Sequence, residues 1–177
     1  MPATEKISEV LIRENIVRAV GDVFKTMLSR QIRLQSSGAN GEDNRWPPLP
    51  PPPPTAPSHV VGTGGFLGDI NGLIYLYFDE SLALEAASTL LGMTKAELAN
   101  GGEDVVNDAI GEITNMAVGS FKNSFCDAGY PCKLTIPSIL RGRNFCIEPI
   151  SSAQRHIYHF ECDGHRVVAD ILMKADD

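Results

Sequence analysis

The sequence predicts an α+β fold in which three longer helices pack on one face of a mostly antiparallel sheet of about six strands. Two observations carry this prediction. The beginning and the middle of the chain place apolar residues at helical spacing over long stretches. Short apolar stretches bounded by glycine, or by Asn-Gly and Asp-Gly pairs, occupy much of the rest, and such pairs favour the tight hairpins that join antiparallel strands.

Composition and charge limit the kinds of protein that the chain can be. Its 177 residues predict a single domain, residues 1–177, and the net charge of −7 argues against a nucleic-acid partner, because phosphate contacts need a basic surface. The first residues lack the basic start and apolar run of a secretory signal. No stretch reaches the roughly 18 apolar residues that span a membrane. We therefore expect a cytoplasmic protein with no membrane partner.

The first predicted elements are a helix and a strand. Apolar residues at helical spacing predict an amphipathic helix over residues 5–30, and "QIRLQ" predicts a short strand. Residues 36–58 form a proline-rich loop, in which eight of the chain's 12 prolines lie between Pro47 and Pro57. Consecutive prolines favour an extended polyproline helix. This loop is either a stiff or disordered connector or, through "RWPPLPP", a ligand for an SH3-type domain.

Strands and helices alternate over the rest of the chain. Asp79 offers an N-cap for a helix that Gly92 ends, and Thr94 with Glu97 fits the capping box of a short helix. A long helix follows over residues 103–127. The stretch "LIYLYF" is apolar enough for the middle of a sheet. The remaining predicted strands are 59–67, 72–78, 132–139, 144–150, 155–162 and 165–173.

Cysteines and histidines predict neither disulfides nor a metal site. The cysteines form no Cys-x-x-Cys pair, and we expect free thiols at Cys126, Cys132, Cys146 and Cys162. Potential metal ligands recur every three residues at His156, His159, Cys162 and His165. On a strand, however, residues 156 and 159 point to opposite faces, and an Asp-Gly turn separates the other two. We expect ordinary strand positions.

The helix over residues 103–127 carries a polar stripe. With about 100° per residue, Asp108, Glu112 and Asn115 fall within about 60° of one another. Gly119 lies in line with this stripe, and Gly111 lies beside it. The apolar residues cluster on the opposite side and are expected to pack inward: Val106, Ile110, Ile113, Ala117 and Phe121.

A polar stripe of this kind is most often a solvated helix face, but two details favour a functional surface. Glycine inside a helix costs roughly 1 kcal/mol relative to alanine, and two glycines lower the surface so that another molecule's backbone can approach. The stripe also has no lysine at i+4 with which to pair. A carboxylate can hold a partner's ammonium group, and an amide can orient a water molecule. The stripe can therefore act on an electrophile that a partner brings.

The stretches "DAIGEITNMAVG" and "KLTIPSILRGRNF" resemble the CheC/CheX/FliY family of bacterial chemotaxis phosphatases. The family motif combines Asp or Ser, then Glu, Asn and a later proline, and Asp108, Glu112, Asn115 and Pro137 match it. "GDINGLIYLYFDESLALEAASTLLGM" and "ENIVRAVGDVFKTML" are similar to the flanking elements of the CheX members. The resemblance covers about residues 8–35 and 59–174, and the single motif copy again favours the CheX type.

The resemblance implies hydrolysis of the phospho-aspartate on a CheY-like receiver domain of a response regulator, in chemotaxis or two-component signalling. It implies that Asn115 aligns the attacking water and that Glu112 engages the receiver's lysine. Four residues are expected to support the site or contact the partner: Asp108, Gly111, Gly119 and Pro137. The chain would have no metal or cofactor of its own, because the Mg²⁺ belongs to the receiver. The resemblance also implies a homodimer. The alternative is a receiver-binding or assembly module without catalysis.

Overall fold

The computed structural model describes residues 7–39, 58–143, 145, 147–148 and 151–175. Its helices are α1 (Glu9–Leu28), α2 (Glu80–Leu91), α3 (Lys95–Gly101) and α4 (Glu103–Asp127). Its strands are β1 (Arg33–Ala39), β2 (His59–Gly68), β3 (Ile70–Asp79), β4 (Cys132–Leu134), β5 (Ser138–Gly142), β6 (Gln154–Cys162) and β7 (His165–Ala175). The predicted proline run lies outside the described residues, so its role stays a prediction.

The strands form one antiparallel sheet. The order is β1-β6-β7-β3-β2-β4, and β5 also pairs with β2. Strands β4 and β5 therefore share one edge of the sheet, and β2 is their common neighbour. The α+β class with three longer helices on an antiparallel sheet is confirmed, and the short α3 is the fourth helix of the described part.

Local signals in the sequence set the helix ends. The Asp79 side chain accepts a hydrogen bond from the backbone N–H of Leu82, and Gly92 ends α2 in the left-handed conformation with φ +64°. The capping box of Thr94 and Glu97 is present at the start of α3. These contacts satisfy some of the backbone groups that every helix end leaves without an intrahelical partner. The predictions of these helix ends are confirmed.

The main core lies between the helices and one face of the sheet. Aromatic side chains fill much of it, and burying each one contributes roughly 1.5–3 kcal/mol: Phe24, Phe66, Phe78, Phe121, Phe125 and Phe160. The opposite face of the sheet carries a smaller buried cluster of Val61, Tyr77, Ile157 and Val168. Within the described residues, no helix is long and apolar enough to span a membrane.

The predicted strand over 144–150 is wrong. Its described residues, Phe145, Ile147 and Glu148, are not in a strand. Phe145 instead packs edge-on against Tyr77, with ring centroids 6.3 Å apart, and Arg155 donates a hydrogen bond of 2.9 Å to the Ile147 carbonyl. The alternating apolar residues therefore cover the outer face of the sheet.

Two other strand boundaries differ from the predictions. The strand predicted over 132–139 is divided into β4 and β5, because the segment between them contains Pro137, which has no backbone N–H to donate to a ladder. Strand β1 extends to Ala39, into the segment expected to be a loop, because residues 36–39 pair with β6. Backbone pairing outweighs the weak strand propensity of "SSGA" there.

Candidate functional site

Helix α4 is fixed to the sheet by an unusually close approach to β2. A Cβ added at Gly62 would lie 1.8 Å from Thr114 Oγ1, and one added at Gly64 would lie 3.0 Å from Val118 Cγ2. Thr114 satisfies its hydroxyl within the helix by donating a 2.7 Å hydrogen bond to the Ile110 carbonyl. The two glycines of β2 thus let α4 lie against the backbone of the sheet.

The opposite side of α4 presents the predicted stripe. Asp108 and Glu112 are exposed, and Asn115 is half-buried. The five residues predicted to pack inward are all buried, together with Ala109, Thr114, Val118 and Phe125. The structure therefore brings the three motif side chains to the outer face of one helix, where residues three or four apart have Cβ atoms about 5–6 Å from one another.

The three polar side chains of the stripe have no partner within the described part of the chain. Asp108, Glu112 and Asn115 form no hydrogen bond or ion pair there, while Arg141 is bound to other groups of the same helix. Its guanidinium donates to the Asn107 side chain and lies 3.9 Å from a Glu103 carboxylate oxygen. Arg141 is therefore engaged with these groups, and the two carboxylates of the stripe can bind a cation that another molecule brings.

Both glycines of the stripe face the edge of the sheet. A Cβ at Gly111 would lie 4.0 Å from Ile139 Cδ1, and one at Gly119 would lie 3.5 Å from Leu134 Cδ1. Asn115 lies one helical turn from each glycine. It therefore lies beside the segment that joins β4 to β5, which contains Pro137, half-buried.

The segment of residues 135–137 is an apolar projection that the sequence analysis missed. Thr135 is anchored to Gly65 by two hydrogen bonds of 2.9 Å, and the Thr63 and Ser138 hydroxyls lie 2.6 Å apart on the other side. Between these anchors, Ile136 is 91% exposed. The only signal in the sequence is an isoleucine directly before a proline within a predicted strand.

The histidines and cysteines of the predicted metal alternative have separate surroundings. His165 Nδ1 lies 2.9 Å from Asp79 Oδ2, His159 Nδ1 lies 2.9 Å from Arg166 Nη2, and His156 is buried. No group of three or more potential ligands that could hold a metal ion occurs among the described residues. Cys126, Cys132 and Cys162 are free thiols, and Cys146 lies outside the described residues.

Comparison with known proteins identifies the family. Residues 60–161, more than half of the chain, match the sequence profile of the family described as chemotaxis phosphatase CheX. The chain belongs to this family, which confirms the resemblance found in the sequence. No curated protein sequence matches the chain.

Solved structures share the fold. A CheC-like superfamily protein from Shewanella sp. PV-4 is 27% identical, with a TM-score of 0.75 and coverage of 94% of this chain and 99% of the other. The chemotaxis protein CheX from Vibrio vulnificus is 24% identical, with a TM-score of 0.74 and coverage of 92% and 99%. CheX in a CheX–CheY–BeF₃–Mg²⁺ complex from Borrelia burgdorferi is 20% identical, with a TM-score of 0.67 and coverage of 96% and 99%.

Proposed function

We propose that the chain hydrolyses the phospho-aspartate of a CheY-like receiver domain, with Glu112 and Asn115 as its catalytic residues. The observation that carries this proposal is the outer face of α4, where both side chains have no partner in the described part of the chain. Membership of the chemotaxis phosphatase family supports it. The similar protein from Borrelia burgdorferi, whose structure is a complex with CheY, supports the choice of partner.

Asn115 is proposed to position the attacking water. Its amide can accept a hydrogen bond from the water and donate another to a phosphoryl oxygen. In the reaction, the water oxygen bonds to phosphorus, the bond from phosphorus to the aspartyl oxygen breaks, and inorganic phosphate and a free carboxylate result. Positioning supplies most of the catalysis in phosphoryl transfer. A half-buried amide on a fixed helix suits this role, because it has few alternative positions.

Glu112 is proposed to dock the receiver by binding its active-site lysine. Two unit charges about 4 Å apart interact by about 4 kcal/mol at an effective dielectric constant near 20, and a formed interface excludes the screening solvent. Asp108, at the edge of the stripe, would add a weaker attraction. The Mg²⁺ required for the reaction is expected in the receiver, and this proposal gives the chain no metal of its own.

The neighbouring surface is proposed to complete the interface. Gly111 and Gly119 have no side chains that would hold the receiver's backbone away from the helix. Pro137 shapes the adjoining edge of the sheet. Ile136, with Leu134 and Leu140 nearby at 39% and 42% exposure, offers apolar contact area beside the charged stripe. An apolar patch rimmed by polar groups is typical of an interaction site.

A receiver-binding module without catalysis is the second candidate. The same apolar projection and the same carboxylate would serve docking alone, so turnover has to be measured. The homodimer implied by the family resemblance and the cytoplasmic location expected from the sequence also stay predictions.

The test is to phosphorylate candidate receivers from the same organism with a small phosphodonor and to follow phosphate release with and without the chain. Glu112→Ala should weaken receiver binding by about 30-fold or more, because loss of one member of a buried charge pair costs about 2–5 kcal/mol. Glu14→Ala, an exposed carboxylate on α1, is the matched control and should bind and turn over like the wild type. If the chain accelerates phosphate release from none of the receivers, the proposal is contradicted. If it binds a receiver without accelerating phosphate release, the second candidate is favoured.

A further inference from the structure

Two cysteine sulfurs meet where α4 ends and β4 begins. The Sγ atoms of Cys126 and Cys132 lie 3.9 Å apart, which is a van der Waals contact, whereas a disulfide needs about 2 Å. We propose that this pair is a thiol-oxidation site, at which a peroxide converts the two cysteines into an intramolecular disulfide. The site is independent of the proposed phosphatase function.

The backbone on both sides holds the sulfurs in this position. Cys126 accepts a 3.1 Å hydrogen bond at its carbonyl from Gly129, which closes the end of α4. The segment that leads from α4 to β4 is joined to the turn between β2 and β3, where the Asp69 N–H donates a 3.0 Å hydrogen bond to the Pro131 carbonyl. These contacts fix the backbone on both sides of the pair, and a disulfide requires the gap of 3.9 Å between the sulfurs to close to about 2 Å.

The tight pairing of β4 with β2 adds to this rigidity. Cys132 lies opposite Gly68, and a Cβ added at Gly68 would lie only 2.6 Å from Cys132 Cα. The glycine permits this approach of the two backbones. A side chain there would push β4, and the Cys132 sulfur with it, away from its present place.

The two thiols have different surroundings, which assigns a role to each. Cys126 is half-buried, and a hydrogen bond with the Cys132 backbone, helped by the positive charge of Lys122, lowers the pKa of its thiol. Cys132 is buried, and burial raises the pKa of its thiol to about 11. Since the thiolate is the reactive form, Cys126 reacts first and Cys132 resolves the product.

The reaction balances with peroxide as the oxidant. The Cys126 thiolate attacks a peroxide oxygen, a sulfur–oxygen bond forms, and the oxygen–oxygen bond breaks to leave a sulfenic acid. The Cys132 sulfur then attacks the Cys126 sulfur, the disulfide forms, and the sulfenic oxygen leaves as water. Two thiols have supplied two electrons and two protons, and one hydrogen peroxide has become two waters. A small-molecule thiol reverses the change by thiol–disulfide exchange.

Peptide mapping separates this proposal from an inert pair of core thiols. Trypsin cleaves after Lys122 and Lys133, so Cys126 and Cys132 occur in one peptide, residues 123–133. Cys146 and Cys162 occur in two others, residues 144–155 and 156–166. The folded chain is treated with hydrogen peroxide, the peroxide is removed, and the chain is then unfolded in guanidinium chloride so that iodoacetamide reaches every remaining thiol, before digestion and mass spectrometry.

The expected result is a 123–133 peptide that loses both alkyl groups and the mass of two hydrogen atoms, and that regains both groups after dithiothreitol. Under peroxide, the 123–133 peptide should lose its alkylation at least about tenfold faster than the peptide that contains Cys162. The reason is that Cys162 is buried with a raised pKa, and such a thiol has little thiolate. In Cys132→Ser, Cys126 should stop at the sulfenic acid and be trapped by dimedone. The proposal would be overturned if the 123–133 peptide kept both alkyl groups, or if it lost its alkylation no faster than the Cys162 peptide. A disulfide between two chains would also overturn it.

Discussion

Replacing Gly111 or Gly119 with alanine separates the stability of α4 from its proposed role against a receiver. The added Cβ would lie 4.0 Å from Ile139 Cδ1 at Gly111 and 3.5 Å from Leu134 Cδ1 at Gly119, which are ordinary van der Waals distances. Neither substitution therefore clashes with the described part of the chain. Because alanine is favoured over glycine inside a helix by about 1 kcal/mol, each should raise Tm by about 2–4 °C in a chain of this size.

The same methyl groups should slow receiver dephosphorylation, because they raise the surface at which the receiver's backbone would approach. Overpacking of a close contact costs about 1–3 kcal/mol, which corresponds to a fall of about 5- to 150-fold in kcat/KM. Gly21→Ala on α1 is the matched control, since a Cβ there would meet no described residue within 4 Å, and it should raise Tm without changing turnover.

Thermal unfolding by circular dichroism and phosphate release from one phosphorylated receiver provide the two measurements. A lower Tm in Gly111→Ala or Gly119→Ala would refute the packing reasoning. Full turnover in both variants, together with the expected stabilisation, would refute the idea that these glycines serve the approach of a partner.

Two further predictions concern the scaffold. Gly62→Ala should lower the free energy of unfolding by about 1–3 kcal/mol, because its Cβ would lie 1.8 Å from Thr114 Oγ1. Thr114→Ala in the same chain should restore part of the loss, and denaturation that shows no such coupling would contradict the close approach of α4 to β2. Burial lowers the pKa of His156 below its ordinary value of 6.5, although Glu9 acts in the opposite direction. The neutral imidazole is therefore favoured in the folded chain, and its contribution to stability is complete above pH 6.5 and is lost as the pH falls below it. The urea midpoint of wild type should fall more between about pH 7.5 and about pH 5 than that of His156→Gln, and equal falls would contradict this.

Most helices of the fold could be predicted because their signals are local. The ends of α2 and α3 depend on residues within one turn, such as Asp79 and the Thr94–Glu97 capping box. The buried side of α4 follows from helical periodicity alone. The strand predicted over 144–150 is wrong because its surroundings are not local. Phe145 and Ile147 alternate like strand residues, but they pack on the outer face of the sheet against residues that are distant in sequence, such as Val61 and Tyr77.

The site was predictable to a similar extent. Periodicity placed Asp108, Glu112 and Asn115 on one face, and the family resemblance assigned them roles. The exposed Ile136 was not predictable, because its position depends on anchors at Thr63 and Gly65, which lie on β2. The fit of Thr114 against Gly62 was hidden for the same reason, since no local pattern shows which strand a helix will contact.

Asn115→Ala shows whether the amide on α4 positions the water that attacks the phospho-aspartate. The amide lies on the outer face of α4, so its removal opens no core cavity, and such changes alter stability by about 0.5 kcal/mol or less. Asn123→Ala, at an exposed position on the same helix, is the matched control. Asn115→Ala should slow phosphate release from a phosphorylated receiver by at least about 100-fold, a loss that a misplacement of about 1 Å can cause. It should bind that receiver within about twofold of wild type, since Glu112 holds the partner. Wild-type turnover in Asn115→Ala would show that this amide does not position the attacking water.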